Sequence, residues 1–157
     1  MPWSSANATA LIKSIYTPIL TAQLLPGSKG KYVIGYGRQD GKVKKGQVIN
    51  QTQADAYLDN DLKKAAGCIK ALWEKAKGIL ADYQNTALVS VAQSQPSCDN
   101  LEKFWKKNRL PTKTTVTTDV LNAYFLSLIA SLDKSVTSPS AEFTARRAAE
   151  KVLFGIV

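Results

Sequence analysis

An α+β fold is predicted, with a small β region set between helices. Three observations predict it. Lys31-Tyr32-Val33-Ile34-Gly35-Tyr36-Gly37 concentrates β-forming side chains between glycines. Ala54, Leu58, Leu62, Ala65, Ile69 and Leu72 then recur at helical period along residues 51–78. Beyond them the apolar runs are helical in spacing. The 157 residues and 17.1 kDa suit a single domain over residues 1–157. Its β lobe is expected at about 19–50. Its helical lobe is expected at about 79–157 together with the N-terminal helix, and the long helix joins the two.

Taken in order, residues 5–18 are expected to form a helix. Leu11, Ile12, Ile15 and Ile19 supply its apolar side, the Ser/Asn residues ahead offer N-caps, and Pro18 ends or bends it. Pro26-Gly27-Ser28-Lys29-Gly30 and Asp40-Gly41 are turn signals, the second leading into the basic Lys42-Val43-Lys44-Lys45-Gly46. In the long helix Thr52 is the expected N-cap, Asp55 follows at the third position, and Gly78 is the stop. Residues 81–94 form another helix with Tyr83, Ala87, Leu88, Val91 and Ala92 on one face, broken by Gln95-Pro96-Ser97. Residues 99–108 suit a short basic helix, and Thr112–Thr118 a loop or short strand. Val120–Leu132 reads as a buried helix, 135–140 as a loop and Ala141–Phe154 as the last helix. There is no internal repeat.

Composition excludes whole classes of chemistry. Hydrophobic residues at 45% and charged residues at 21% indicate a globular chain. Histidine is absent, which removes Ser-His-Asp and Cys-His catalysis and the common zinc sites. No Gly-rich phosphate loop is present, and no metal or cofactor is expected. No apolar run approaches ~18 residues, so no membrane span is expected. The opening Met1-Pro2-Trp3-Ser4-Ser5-Ala6-Asn7 predicts no self-standing secretion signal. What remains is carboxylate chemistry or none.

The net charge of +9 and the pI of about 9.6 are unevenly distributed. Residues 1–39 hold no Asp or Glu, and Asp40 is the only acid before Asp55. A basic lobe of this kind suits a polyanion such as nucleic acid, teichoic or lipidic phosphate, or an acidic protein, or is simply a solvated basic surface.

At this point four motifs resemble one family in order and near its spacing. Tyr32-Val33-Ile34-Gly35-Tyr36-Gly37 is similar to an aromatic-T-I-G-Y-G strand. Ile49–Leu62, with Gln53-Ala54 and Asn60-Asp61-Leu62, is similar to I-T-x-x-x-A-x-x-L-x-x-D-L. Gln84–Ala92 is similar to Q-x-x-A-L-V-S-x-A. Arg146–Gly155 is similar to R-R-A-A-E-x-x-L-x-x-G. The family is the phage-type (T4-lysozyme-like) lysozymes and endolysins. The resemblance covers roughly residues 8–94 and 142–155, and residues 99–140 diverge. It implies a lysozyme-like fold and peptidoglycan muramidase chemistry.

That chemistry takes two carboxyls across the scissile bond. The family pattern L-I-K-x-F/Y-E-G-x-x-L-x-A-Y-x-D lies without a gap on residues 11–25, and places the catalytic Glu position on Tyr16 and the Asp position on Leu25. The Thr of the strand falls on Val33. No shift restores an acid, because residues 1–39 contain none. A phenol ionises near ~10, far from the ~6 expected of a glycosidase acid. The resemblance therefore implies a pseudoenzyme: a phage or prophage cell-wall protein that binds peptidoglycan or a protein partner without cutting glycan. The alternative is an active muramidase with a rearranged site, and Asp40 is the nearest candidate acid. Possible cleft-binding residues are Tyr16, Gln23, Tyr32 and Arg38.

The resemblance also suggests an interlobe pair between Arg38 and Asp61, against the plainer reading of two solvated charges. Cys68 and Cys98 have two open readings, a disulfide in an oxidising compartment or two reduced, part-buried thiols. Trp73, Phe104 and Trp105 lie beside lysines and are either core residues or a sugar- or nucleic-acid-binding set. The expected partner is bacterial cell-wall glycan or a virion or secretion protein rather than nucleic acid, with the chain a monomer. The expected setting is a phage virion or host cell, with access to the periplasm open.

Overall fold

Ser4 starts the first helix. Its Oγ accepts the Asn7 N–H at 3.1 Å, and α1 runs Ser5–Ile15 with Ala8 and Ile12 buried. The helix ends before Pro18 rather than at it. Tyr16 is already extended, its N–H donating to Ile12 O at 2.9 Å, and Thr17 precedes a proline that disfavours helical backbone. The computed structural model describes residues 2–76, 78–111 and 115–156.

Strands β1 (Ile19–Leu24) and β2 (Tyr32–Gly35) pair antiparallel, with Gln23 opposite Val33 and Leu24 opposite Tyr32. The Pro26–Gly30 turn joins them, and the Leu25 N–H donates to Lys31 O at 2.9 Å. Residues 47–49 run along the other edge of β1, through Ala22 N–H to Gln47 O at 2.8 Å and Ile49 N–H to Leu20 O at 2.9 Å. The expected strand at 31–37 is shorter than its motif. Gly35 at φ 64° and Gly37 at φ 100° turn the chain back, and Ile34 and Arg38 exchange both backbone hydrogen bonds, at 3.0 and 2.9 Å. Only glycine takes such angles without strain. This tight loop aims Arg38 at the next helix.

That helix, α2, runs Gln51–Lys75, a rod of about 37 Å at ~1.5 Å per residue. Its N-cap is Asn50, not the expected Thr52. Asn50 Oδ1 accepts the Gln53 N–H at 2.8 Å while Gln53 Oε1 accepts the Asn50 N–H at 2.9 Å. The expected stripe of Ala54, Leu58, Leu62, Ala65, Ile69 and Leu72 is buried. The helix closes at Lys75, short of Gly78. Lys77, within the expected helix, lies outside the described residues.

Helix α3 (Asp82–Gln93) occupies the centre of the helical part, packed by α2, α6 and α1. It is buried all round from Gln84 to Ala92, and only Tyr83 of its expected apolar face is exposed. Several of its polar groups find partners, although Asn85 Oδ1 is buried without one among the described residues. Thr86 Oγ1 donates to Asp82 O at 2.7 Å and accepts the Ser4 N–H at 2.9 Å, and Asn85 Nδ2 donates to Pro2 O at 3.0 Å. Helices α4 (Asp99–Lys107) and α5 (Thr118–Leu132) pack together, Phe104 meeting Tyr124 edge-on at 5.3 Å. Helix α5 is amphipathic rather than wholly buried, with Val120 and Leu126 exposed. Of the expected loop or strand at Thr112–Thr118, residues 112–114 lie outside the described residues, and Thr118 opens α5. Helix α6 spans Ala141–Phe154, capped by Ser140 and closed by Gly155 in left-handed backbone.

This is the α+β arrangement expected from the sequence, with two strands and six helices among the described residues.

Candidate functional site

The end of α1, the hairpin, the 36–40 loop, α2, the 92–98 segment and α6 enclose a cleft of about 830 Å³. Tyr16, Leu25 and Val33 all line it. Tyr16 arrives at the C-cap of α1, Leu25 just past β1, and Val33 on β2. Of the other residues picked out for binding, Arg38 lines the cleft. Gln23 and Tyr32 do not: Gln23 is exposed, and Tyr32 packs half-buried against the core. Strand alternation places neighbours on opposite faces, so having Val33 in the cleft leaves Tyr32 on the other side of β2.

Two carboxylates line the cleft among the described residues, Asp40 and Asp61. Asp61 is held by Arg38 in a two-toothed pair, Nε to Oδ2 at 3.1 Å and Nη2 to Oδ1 at 2.7 Å. Arg38 also donates to Tyr57 O at 3.3 Å and lies 3.9 Å above the Tyr57 ring. Burial works against the guanidinium charge, yet the Asp61 hydrogen bonds and charge outweigh it and raise the Arg38 pKa. The pair thus ties the 34–38 loop to α2. Asp40 stands in the next turn, and its Oδ1 accepts the Lys42 N–H at 3.0 Å.

Helix α6 contributes a cleft residue that sequence reasoning left out. Arg146 lines the cleft, and its guanidinium lies 5.8 Å from the Tyr16 ring centre. It is held from behind. Nε donates to Glu150 Oε1 at 3.0 Å, and Nη2 donates to Ser90 O at 2.5 Å and Gln93 Oε1 at 2.7 Å. Glu150 is fully buried and also takes two hydrogen bonds from Arg147 Nη1, at 3.0 and 2.9 Å. Arg147 in turn grips Asp133 at 2.9 and 3.1 Å and Ser94 Oγ at 2.9 Å. Burial lowers the Arg147 pKa, but the charges of Glu150 and Asp133 more than offset it. The sequence signal for Arg146 was present in the R-R-A-A-E motif, where two arginines and a glutamate at i+3 and i+4 meet on one helix face.

Cys68 of α2 and Cys98 ahead of α4 are joined by a disulfide, and both line the cleft. The bond fastens the 93–98 segment, one cleft wall, to α2. A second cavity of about 520 Å³ lies between α2, α4 and α5, bounded by Leu72, Ile79, Trp105, Leu110 and Tyr124. None of the candidate cleft residues lies there. Phe104 is core, and Trp105 is half-buried at this cavity. Among the described residues no group of three His, Cys, Asp or Glu is placed to hold a metal, and no helix is long and apolar enough to cross a membrane.

The phage lysozyme family model matches residues 20–94, which run from β1 through α3 and include the Arg38–Asp61 pair. No curated protein matches the chain. Solved structures do. The muramidase domain of SpmX from Asticaccaulis excentricus aligns over 100% of both chains at TM-score 0.67 and 22% identity. The active form of the P1 phage endolysin Lyz aligns over 96% of this chain and 84% of its own at TM-score 0.61 and 17% identity. A variant of P22 lysozyme aligns over 98% of each at TM-score 0.55 and 22% identity. At these identities the likeness is one of fold. The chain has a lysozyme-like fold, and residues 20–94 match the phage lysozyme family model.

Proposed function

We propose that this protein is a pseudoenzyme that holds a peptidoglycan strand in its cleft without cleaving it. One observation carries the reading. Tyr16, Leu25 and Val33 line a single open cleft whose described carboxylates are Asp40 and the arginine-bound Asp61. Glycoside hydrolysis needs a protonated acid at the leaving oxygen and a second carboxylate across the bond. Valine and leucine offer neither group, and loss of such groups typically costs at least 10²–10⁴-fold in rate. The cleft nonetheless keeps the volume and the polar lining, from Arg38, Lys64, Gln93, Ser94 and Arg146, that suit a hydroxyl- and carboxyl-bearing polymer. A virion or secretion protein in the same cleft is the other binding outcome, and the site of action is proposed as the cell wall reached from a phage particle or host cell.

A second reading is favoured by Asp40 alone, the cleft carboxylate not bound to arginine: an active muramidase using it as a rearranged acid. Purified peptidoglycan separates the readings. Release of reducing ends and loss of turbidity are measured from acid to neutral pH beside co-sedimentation on the same material. Binding without lysis is expected. Lysis abolished by Asp40→Asn overturns the proposal and identifies the acid. Neither binding nor lysis directs the search to a protein partner.

A further inference from the structure

The second cavity, of about 520 Å³, shares no lining residue with the cleft. On α2 the cleft uses Asp61, Lys64, Ala65 and Cys68, whereas the cavity uses Ala71, Leu72 and Lys75, further along the same helix. Its wall is mostly apolar, made by Leu72, Ile79, Trp105, Leu110, Pro111 and Tyr124. Two polar side chains of the wall are already engaged. The Tyr124 hydroxyl donates to Asn108 O at 3.0 Å, and Asn108 Nδ2 donates to Phe104 O at 3.0 Å. The Trp105 indole N–H is buried without an acceptor among the described residues. Lys75 and Arg109 line the cavity while remaining exposed, which places them at its mouth. Neither forms an ion pair among the described residues. No carboxylate lines this cavity among the described residues.

We propose that this cavity binds a small amphipathic anion, an acyl chain of medium length ending in one carboxylate. The chain lies against the apolar wall, and the carboxylate meets Lys75 and Arg109 at the mouth. The volume falls among small-molecule pockets, which pair an apolar lining with a few placed polar groups. Charge complementarity selects the head. Two unpaired cations with no acid beside them favour an anion, and an orphaned indole donor at the wall favours a ligand that brings an acceptor. A bare inorganic anion gains little from cations this exposed and leaves the apolar wall empty. A pure hydrocarbon fills the wall and leaves the cations unused. The site stands independently of what the cleft binds.

Calorimetry on the full chain with octanoate, decanoate and dodecanoate, each below its micelle concentration, tests the site. Affinity should rise about four-fold per added methylene. Decanol, the same chain without charge, should bind about ten-fold more weakly than decanoate. Lys75→Gln with Arg109→Gln should lower decanoate affinity about ten-fold and leave decanol within about two-fold. Lys44→Gln with Lys45→Gln removes the same charge from the β lobe and should leave decanoate within about two-fold. Ala71→Phe fills the cavity and should abolish binding of both ligands, and Leu110→Trp fills it from the segment after α4. Circular dichroism shows which variants are folded. Decanoate should also shift the tryptophan emission, and Trp105→Phe should remove most of that shift. No binding of any of the three acids overturns the proposal. So do equal affinities for decanol and decanoate, equal losses from the two double variants, or undiminished binding in a folded cavity-filling variant.

Discussion

Arg146 faces Tyr16 across the cleft, its guanidinium 5.8 Å from the ring centre, although the two residues lie at opposite ends of the chain. The arginine cannot swing away, because Glu150, Ser90 and Gln93 hold it. Any group placed at position 16 therefore sits in a fixed positive field. Lys13, Lys29 and Lys31 stand outside the cleft, Lys13 paired with Asp55, and Arg38 is engaged by Asp61.

The first prediction concerns restored chemistry. Tyr16→Glu with Leu25→Asp and Val33→Thr returns the three groups that the family resemblance places there. A guanidinium nearby favours the charged carboxylate and lowers its pKa. The acid of a glycosidase must instead stay protonated. Weak activity is expected, with its optimum at acid pH, in a turbidity assay across pH. Activity as strong at neutral as at acid pH would show that Arg146 does not control this position.

A second prediction tests the loop-to-α2 tie. Asp61→Asn leaves the Arg38 guanidinium part-buried without its counter-charge. The expected cost is ~1–3 kcal/mol in denaturant unfolding. Arg38→Lys keeps the charge but loses the two-toothed geometry, so its loss should be smaller and still measurable. A double-mutant cycle showing no coupling between positions 38 and 61 would refute the tie.

The pair also shows what the sequence makes legible. G-Y-G followed by Arg38, and the x-D-L at Asp61, expose the contact through motif spacing, because a glycine-dependent turn and a helix register leave few alternatives. The stripe on α2 was legible for the same reason. The strand at Ile19–Leu24 was not, since a bulge between Ile19 and Gln23 breaks the two-residue alternation on which strand reading depends. Arg146 was missed as a cleft residue because its burial is set by packing between α3 and α6, far apart in sequence. The cap of α2 was misplaced by two residues because Asn50 and Thr52 are both good caps, and only the Gln53 hydrogen bonds decide between them.

The third prediction uses the disulfide as a lever on the cleft wall. Cys68 and Cys98 close a loop with a sequence separation of 30 residues. Reduction, or Cys68→Ser with Cys98→Ser, should lower stability by roughly 3–4 kcal/mol through the entropy regained by the unfolded chain. It should also weaken peptidoglycan co-sedimentation if the 93–98 wall contributes to binding. Stability lost with binding intact would place the glycan elsewhere on the surface.

The last prediction concerns alkaline pH. Burial pushes the Tyr124 hydroxyl up to about 12, while that hydroxyl donates to Asn108 O at 3.0 Å and its ring meets Phe104. The folded state thus favours the neutral phenol more than the unfolded chain does, whose tyrosines ionise near ~10. The sign follows from linkage: the contribution is complete below about 10 and is lost as pH rises through about 12. Wild type and Tyr124→Phe are compared by denaturant unfolding across this range. Near neutrality wild type should be the more stable, by ~0.5–1.5 kcal/mol for one hydrogen bond. As pH climbs the difference should shrink and then reverse, because the phenylalanine variant has no proton to lose. Phenolate absorbance should show a step near pH 12 in wild type that the variant lacks. Unfolding curves that stay parallel through this range would show that Tyr124 is open to solvent and that α4 and α5 do not close over it.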